Sequence, residues 1–156
     1  MFALTLASLL NKQQNQQEAA LAIPFNEALA RQFVEHLPFQ LTNAQRKVIW
    51  QIYLDMQKSE PMNRLLEGDV GAGKTVVAAM AALMPLDAGM QVALMAPTEL
   101  LARQHADTVS SLMRALGRER EVLLLTGSQT TAQKQRAQAA IKNGQASLLV
   151  GTHAMI

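Results

Sequence analysis

The chain has 156 residues, 49% of them apolar, enough to bury one hydrophobic core in a single folded unit. Its formal charge of +2 is nearly balanced despite a pI of 9.2, so any affinity for a polyanion has to come from placed residues and not from bulk charge. The absence of cysteine excludes disulfides, thiolate nucleophiles and zinc–thiolate sites, and an aromatic content of 4% argues against a platform that stacks single-stranded bases.

The apolar run Met1 to Leu10 lacks a basic region before it, and Lys12 lies on the wrong side for a secretory signal. No other run approaches the ~18 apolar residues of a membrane span, so the chain reads as soluble and cytoplasmic. Phe2, Leu6, Leu9 and Leu10 fall at helical spacing and predict an amphipathic helix over residues 2 to 18, whose polar second half, Asn11 to Gln17, reads as a linker more than a solvated helix face. Pro24 breaks the chain, and Asn26 can cap a second helix to His36 with Leu29, Phe33 and Leu37 on one face. Residues 1–36 therefore read as a helical connector, and 37–156 as the main unit. Thr42 can cap a third helix through Gln57 with a Val48, Ile52, Met56 stripe.

Arg64 to Glu67 reads as a short strand, followed by Gly68-Asp69-Val70-Gly71-Ala72-Gly73-Lys74-Thr75, which matches the phosphate-loop pattern G-x-x-x-x-G-K-[ST]. The glycines let successive amides turn inward as an anion nest, and a helix starting at Lys74 adds its positive dipole end. The Lys74 ammonium can reach the β- and γ-phosphates, and the Thr75 hydroxyl can ligate Mg²⁺. That helix runs to Asp87, and a strand before the loop with a helix after it is the setting the motif requires. Beside such a loop Gln45 has two readings. It is an ordinary helix residue, or its amide pairs with N6 and N7 of adenine and selects ATP over GTP.

Gly89 then closes the helix, and Gln91 to Ala96 reads as a buried strand ending at Pro97. Thr98 can cap a long helix to Leu116 with Leu101, His105, Thr108, Val109, Leu112 and Leu116 on its inner side, stopped by Gly117. Glu121 to Leu125 is a further strand, followed by the turn Thr126-Gly127-Ser128. Thr130 with Gln133 forms a capping box for a helix to Asn143, and Ala146 to Val150 is a last strand ending at Gly151-Thr152-His153. Strands alternating with helices predict a parallel, doubly wound α/β sheet. Thr98 and Glu99, Thr126 and Ser128, and Thr152 and His153 all follow the carboxyl end of a strand, the edge where open α/β sheets bind ligands. Helix capping explains Thr98 and Thr130; contact with the phosphates of a nucleic acid is the alternative that also covers Thr152 and His153.

With these residues in place the chain resembles the first motor lobe of the superfamily 2 DNA helicases. Four segments carry the resemblance: Leu37-Pro38-Phe39 with Leu41-Thr42 and Gln45; Met62, Arg64-Leu65 and Gly68 through Thr75; Val92 through Ala102 with Gln104-His105; and Val150 through Ala154. It implies an α/β fold, the parallel sheet of a RecA-like phosphate-loop motor lobe, incomplete here and preceded by N-terminal helices. It further implies ATP and Mg²⁺ as cofactors. Phe39, Gln45, Gly71, Ala72, Gly73, Lys74 and Thr75 would bind the nucleotide; Lys74 and Thr75 would be catalytic, with Thr75 on the metal. Duplex and branched DNA is the implied partner, tracked by Thr98, Glu99, Arg103, Gln104, Thr126, Gly127, Thr152 and His153. Ala72 stands where the family often has serine, a change that loop backbone tolerates.

The transcription-repair coupling translocases share the Gly-Asp-Val-Gly loop, but Ala96-Pro97-Thr98-Glu99 and His153-Ala154 fit helicases that remodel stalled forks and Holliday junctions better. The resemblance also implies parts outside this chain: the acidic Asp-Glu pair that holds Mg²⁺, a second lobe with an arginine finger, and a DNA-reading region upstream. Such a finger is worth ~10³–10⁵ in rate, so the chain alone is expected to hold ATP without turning it over. It further implies that Arg64 to Glu67 lies apart from the other three strands, because strands from later sequence separate them. A non-catalytic ATP-binding interaction module is the competing reading. A GTPase is disfavoured, since no Asn-Lys-x-Asp segment is present.

Overall fold

A computed structural model describes residues 19–153. The expected helix over residues 2 to 18 and the end of the last segment, Ala154, lie outside the described residues. Five α-helices and three strands follow in the order α1 (Glu27–Glu35), α2 (Asn43–Met56), α3 (Lys74–Asp87), β1 (Val92–Met95), α4 (Glu99–Arg114), β2 (Val122–Leu125), α5 (Thr131–Lys142) and β3 (Leu148–Gly151), with a 3-10 turn at Glu119–Glu121 before β2. No described helix is long and apolar enough to cross a membrane.

Local chemistry sets most of these boundaries. Asn26 Oδ1 accepts from the Leu29 amide at 3.1 Å, Thr98 Oγ1 from Leu101 at 3.3 Å, and Thr42 and Thr130 each close a reciprocal capping box with the glutamine three residues on. At the far ends Gly89, Gly117 and Gly144 take positive φ, the left-handed turn that stops a helix.

The three strands are parallel in the order β1–β3–β2, with Met95 and Leu125 both in register with Gly151. Helix α3 is apolar on nearly all sides and is the centre of the core. Leu83 and Met84 are sealed from solvent together with Phe33 of α1, Val109 and Met113 of α4, and Leu148 and Val150 of β3. Each such side chain stabilises the fold by ~1.5–3 kcal/mol through burial. The Tyr53 hydroxyl ties α2 to this centre by donating to Met80 O at 2.9 Å, and burial raises its pKa well above the tyrosine norm.

Four expectations need correction. Arg64 to Glu67 is not a strand: among the described residues no backbone–backbone hydrogen bond involves 60–68, and without a neighbour a β-segment has no ladder to join. Side chains anchor it instead. The Arg64 guanidinium donates to Asp55 through Nε at 2.9 Å and through Nη2, and to Gln51 at 3.4 Å. Strand β1 is not buried but half-open. Val92 and Leu94 pack against the core, whereas Ala93 and Met95 are exposed on the opposite face. Finally, α4 is rotated from the expected register. Its buried side is Ala102, Ala106, Val109 and Met113, leaving Leu101 and Thr108 exposed, since two alanines let the helix lie close to the sheet. The α2 stripe shifts likewise to Ile49, Ile52 and Tyr53.

Candidate nucleotide site and strand-end loops

The loop before α3 has the backbone its glycines permit. Gly71 and Gly73 sit at φ 84° and 78°, where a side chain would strain the chain, and the Ala72 amide closes a turn onto Asp69 O at 3.1 Å. Gly73 O takes the amides of Val76 and Val77, while the amides of Gly71, Gly73, Lys74 and Thr75 have no acceptor among the described residues. Unpaired N–H groups at the start of a 14-residue helix form an anion site, so the residues present fit a polyphosphate. Lys74 Nζ folds across the loop onto Gly68 O at 2.5 Å and Asp69 O at 2.8 Å, within reach of the same place. A cavity of about 380 Å³ opens here between Thr42, Gln45, Gly68, Ala72 and Lys74. Among the described residues no three His, Asp or Glu side chains gather as a metal cage, so a Mg²⁺ ion would rest on the Thr75 hydroxyl, phosphate oxygens and water.

Gln45 is brought onto this loop. Its Nε2 donates to Ala72 O at 2.9 Å while Oε1 accepts from the Thr42 amide at 2.9 Å. A Cβ at Gly73 would lie 2.3 Å from Gln45 Nε2, so glycine is required there for the amide's approach as well as for φ. Phe39 is placed differently. It is 47% exposed and lines a neighbouring cleft with Pro38 and Arg46, not the cavity at the phosphate loop.

At the sheet's carboxyl edge the shared register with Gly151 brings the loops after β1, β2 and β3 together, and the Ala96 amide bonds Gly151 O at 2.8 Å. Glu99 reaches across to the next loop, accepting from the Ser128 amide at 2.9 Å and from Ser128 Oγ at 2.5 Å. These bonds, with the Arg103 charge adding to them, hold the Glu99 carboxyl below its usual pKa. Arg103 Nη2 lies 3.4 Å from Ser128 Oγ, and Lys134 Nζ donates to Gly127 O at 3.0 Å. Thr126, 1% exposed, pairs its hydroxyl with Ser128 Oγ at 3.2 Å. Thr98 caps its helix. The Gln104 side chain is exposed, Thr152 is half-buried, and His153 is exposed at the end of the edge.

Sequence reasoning missed the capping box between Thr42 and Gln45, although T-x-x-Q is the signal that revealed the one at Thr130. It also missed Arg46 beside Phe39 and the anchoring of Arg64 by Asp55, which no local pattern announces.

Comparison with known proteins agrees with this geometry. The DEAD/DEAH box helicase family model matches residues 42–156. The ATP-dependent DNA helicase RecG of Aquifex aeolicus is 45% identical over 156 residues, all of this chain and 19% of its own length. RecG of Synechocystis is 48% identical over 145 residues, 93% of this chain and 17% of its own. In solved structures, RecG bound to a three-way DNA junction superposes with a TM-score of 0.88 at 39% identity, over 98% of this chain and 21% of that one. The chain thus spans about a fifth of the length of the relatives it matches. By fold, motif and family match together, it belongs to the DEAD/DEAH box helicases.

Proposed function

We propose that this chain is the ATP-binding part of the first motor lobe of a DNA helicase or translocase that remodels branched DNA, such as stalled forks and Holliday junctions, in repair and recombination. The observation that carries this reading is a phosphate loop touched by Gln45, whose helix α3 packs in one core with a small sheet that brings three strand-end loops to a shared edge. The likeness to a RecG bound to a three-way DNA junction supplies the class of partner. A cytoplasmic location accords with it.

In this reading the amides of Gly71 to Thr75 and the Lys74 ammonium hold the ATP triphosphate, and Thr75 holds Mg²⁺. Gln45 reads the adenine edge, and Phe39 flanks the base from its neighbouring cleft. Bound Mg-ATP would supply the free energy for movement along DNA. This chain's own residues bind and orient the nucleotide. Thr98, Arg103, Gln104, Thr126, Gly127, Thr152 and His153 contribute hydroxyl, amide and cationic donors to DNA phosphates, and Glu99 belongs to the same edge.

Replacing the matching segment of the A. aeolicus RecG with this chain tests the reading. The hybrid is expected to show DNA-stimulated ATP hydrolysis and unwinding of forked DNA, both abolished by Lys74→Ala. A folded hybrid that binds ATP yet gains nothing from DNA would defeat the helicase reading in favour of a non-catalytic ATP-binding module.

A further inference from the structure

Glu99 is an anomaly on an edge expected to meet phosphates. A carboxylate there repels DNA phosphates through their like charge. Its geometry offers another role. Glu99 is the first residue of α4, beside the helix's positive end, yet both carboxylate oxygens point to a single residue of the next loop, Ser128. Ser128 Oγ donates to Glu99, which leaves its lone pairs for Thr126 Oγ1 at 3.2 Å and Arg103 Nη2 at 3.4 Å. The same loop is held from its other side by Lys134 on Gly127 O, and from below by Gln129, whose side chain accepts from the Thr126 amide at 3.2 Å and donates to Leu124 O at 3.0 Å.

We infer that Glu99 is a positioning residue that acts on DNA through Ser128: it locks the loop after β2 to the start of α4, so that Arg103 and the Thr126–Ser128 backbone form one preorganised phosphate-binding surface. The inference rests on the DNA-contact reading of this edge. Ser128 donates one hydrogen bond to each carboxylate oxygen, and Arg103 one turn along the helix partly offsets the charge. Among the described residues the other Arg103 guanidinium donors make no hydrogen bond, which leaves them available to a phosphate. Ordering the loop before binding removes an entropy cost that a free loop would add on contact.

A charge-matched pair of variants tests it. Glu99→Gln and Glu99→Ala remove the same negative charge, but glutamine still accepts from the Ser128 amide and bonds its hydroxyl. Fluorescence anisotropy with a labelled forked duplex at low salt should give a Kd roughly three- to tenfold weaker for Glu99→Ala than for Glu99→Gln. Combining Ser128→Ala with Glu99→Ala should cost less than the sum of the two single losses, because the Glu99–Ser128 contact is shared by both. Amide hydrogen exchange read without DNA should find the Ser128 N–H protected in the native chain and in Glu99→Gln, and fast in Glu99→Ala. Equal or tighter binding by Glu99→Ala, additive losses, or equal Ser128 exchange in all three proteins would overturn the inference. Arg103→Ala separates the two levels. If it leaves DNA affinity unchanged, the DNA-contact reading of the edge itself is wrong; if it weakens binding while the Glu99 pair stays equal, only the positioning role falls.

Discussion

Gln45 carries two jobs in one amide, and they can be separated. Oε1 completes the capping box of α2, and Nε2 reaches the phosphate loop at Ala72 O. Glu also suits a capping box, so Gln45→Glu should keep thermal stability close to native. It cannot donate to Ala72 O or pair with adenine, so affinity for a fluorescent ATP analogue should fall. Gln45→Ala should lose both, with ~0.5–2 kcal/mol less stability in urea melts. If Gln45→Glu bound the nucleotide as well as the native chain, the amide would be a cap and nothing more. Lys74→Ala removes the cation that folds across the loop and should weaken the same binding by at least about tenfold, with the fold intact by circular dichroism. Asp55 offers a different residue-level test. Its hydrogen bonds to Lys58, then to Arg64, hold its carboxyl below the usual aspartate pKa. A depressed folded-state pKa gives stability that is present above the unfolded value and lost as pH falls through the folded one. The native chain should therefore lose more stability than Asp55→Asn as pH drops from about 5 to about 3. Parallel pH profiles for the two would mean the contact is too solvated to matter.

At the scale of elements, what was legible in the sequence is what is decided locally. Asn26, Thr98 and Thr130 mark helix starts because an N-cap oxygen needs only its own next three residues, and Gly89 and Gly117 mark ends because the left-handed turn favours glycine. The phosphate loop was legible for the same reason. What failed depends on neighbours far along the chain. Arg64 to Glu67 has a strand's composition but no ladder. The inner face of α4 belongs to Ala102 and Ala106, small residues that rank low on any apolar pattern yet allow close approach to the sheet. The clustering of Glu99 with Ser128 joins residues 29 apart, which only the fold brings together. Phe39 and Gln45 belong to one sequence segment, yet they line separate clefts, Phe39 ahead of α2 and Gln45 in its first turn. Helix α3 is where local and global demands meet. It opens at the anion site and then supplies the core, so Leu83→Ala should cost ~2–5 kcal/mol while leaving the loop's sequence untouched.

For the whole molecule the decisive feature is the outer edge of β1. Its bonds to β3 use the amides of Val92 and, beyond the strand, Ala96, so the intervening amides of Ala93 and Met95 point away from the sheet and have no partner among the described residues. Ala93 and Met95 are exposed, and an apolar cavity of about 200 Å³ lies beside this edge between Ala78, Ala82, Pro85 and Leu94. The segment 60–68 does not shield it by backbone pairing. An edge with free amides and an apolar flank is a template for another strand, and in a solution of this chain an outer strand of a second copy, β1 or β2, can meet it. Sedimentation velocity should therefore show association that grows with concentration. Met95→Lys places a solvated charge on the exposed face of that edge, the usual device by which sheets resist edge pairing, and should return the chain to monomer. Its melting temperature should change little, because Met95 contributes little to the core. Association that persists unchanged in Met95→Lys would place the contact elsewhere, with the exposed Trp50 and Leu54 on α2 as the next surface to alter. The same substitution in the RecG hybrid gives the complementary reading. If the flanking sequence of that protein covers the β1 edge, Met95→Lys will disturb its fold or its DNA-stimulated ATP hydrolysis, although in the 156-residue chain it only improves solution behaviour.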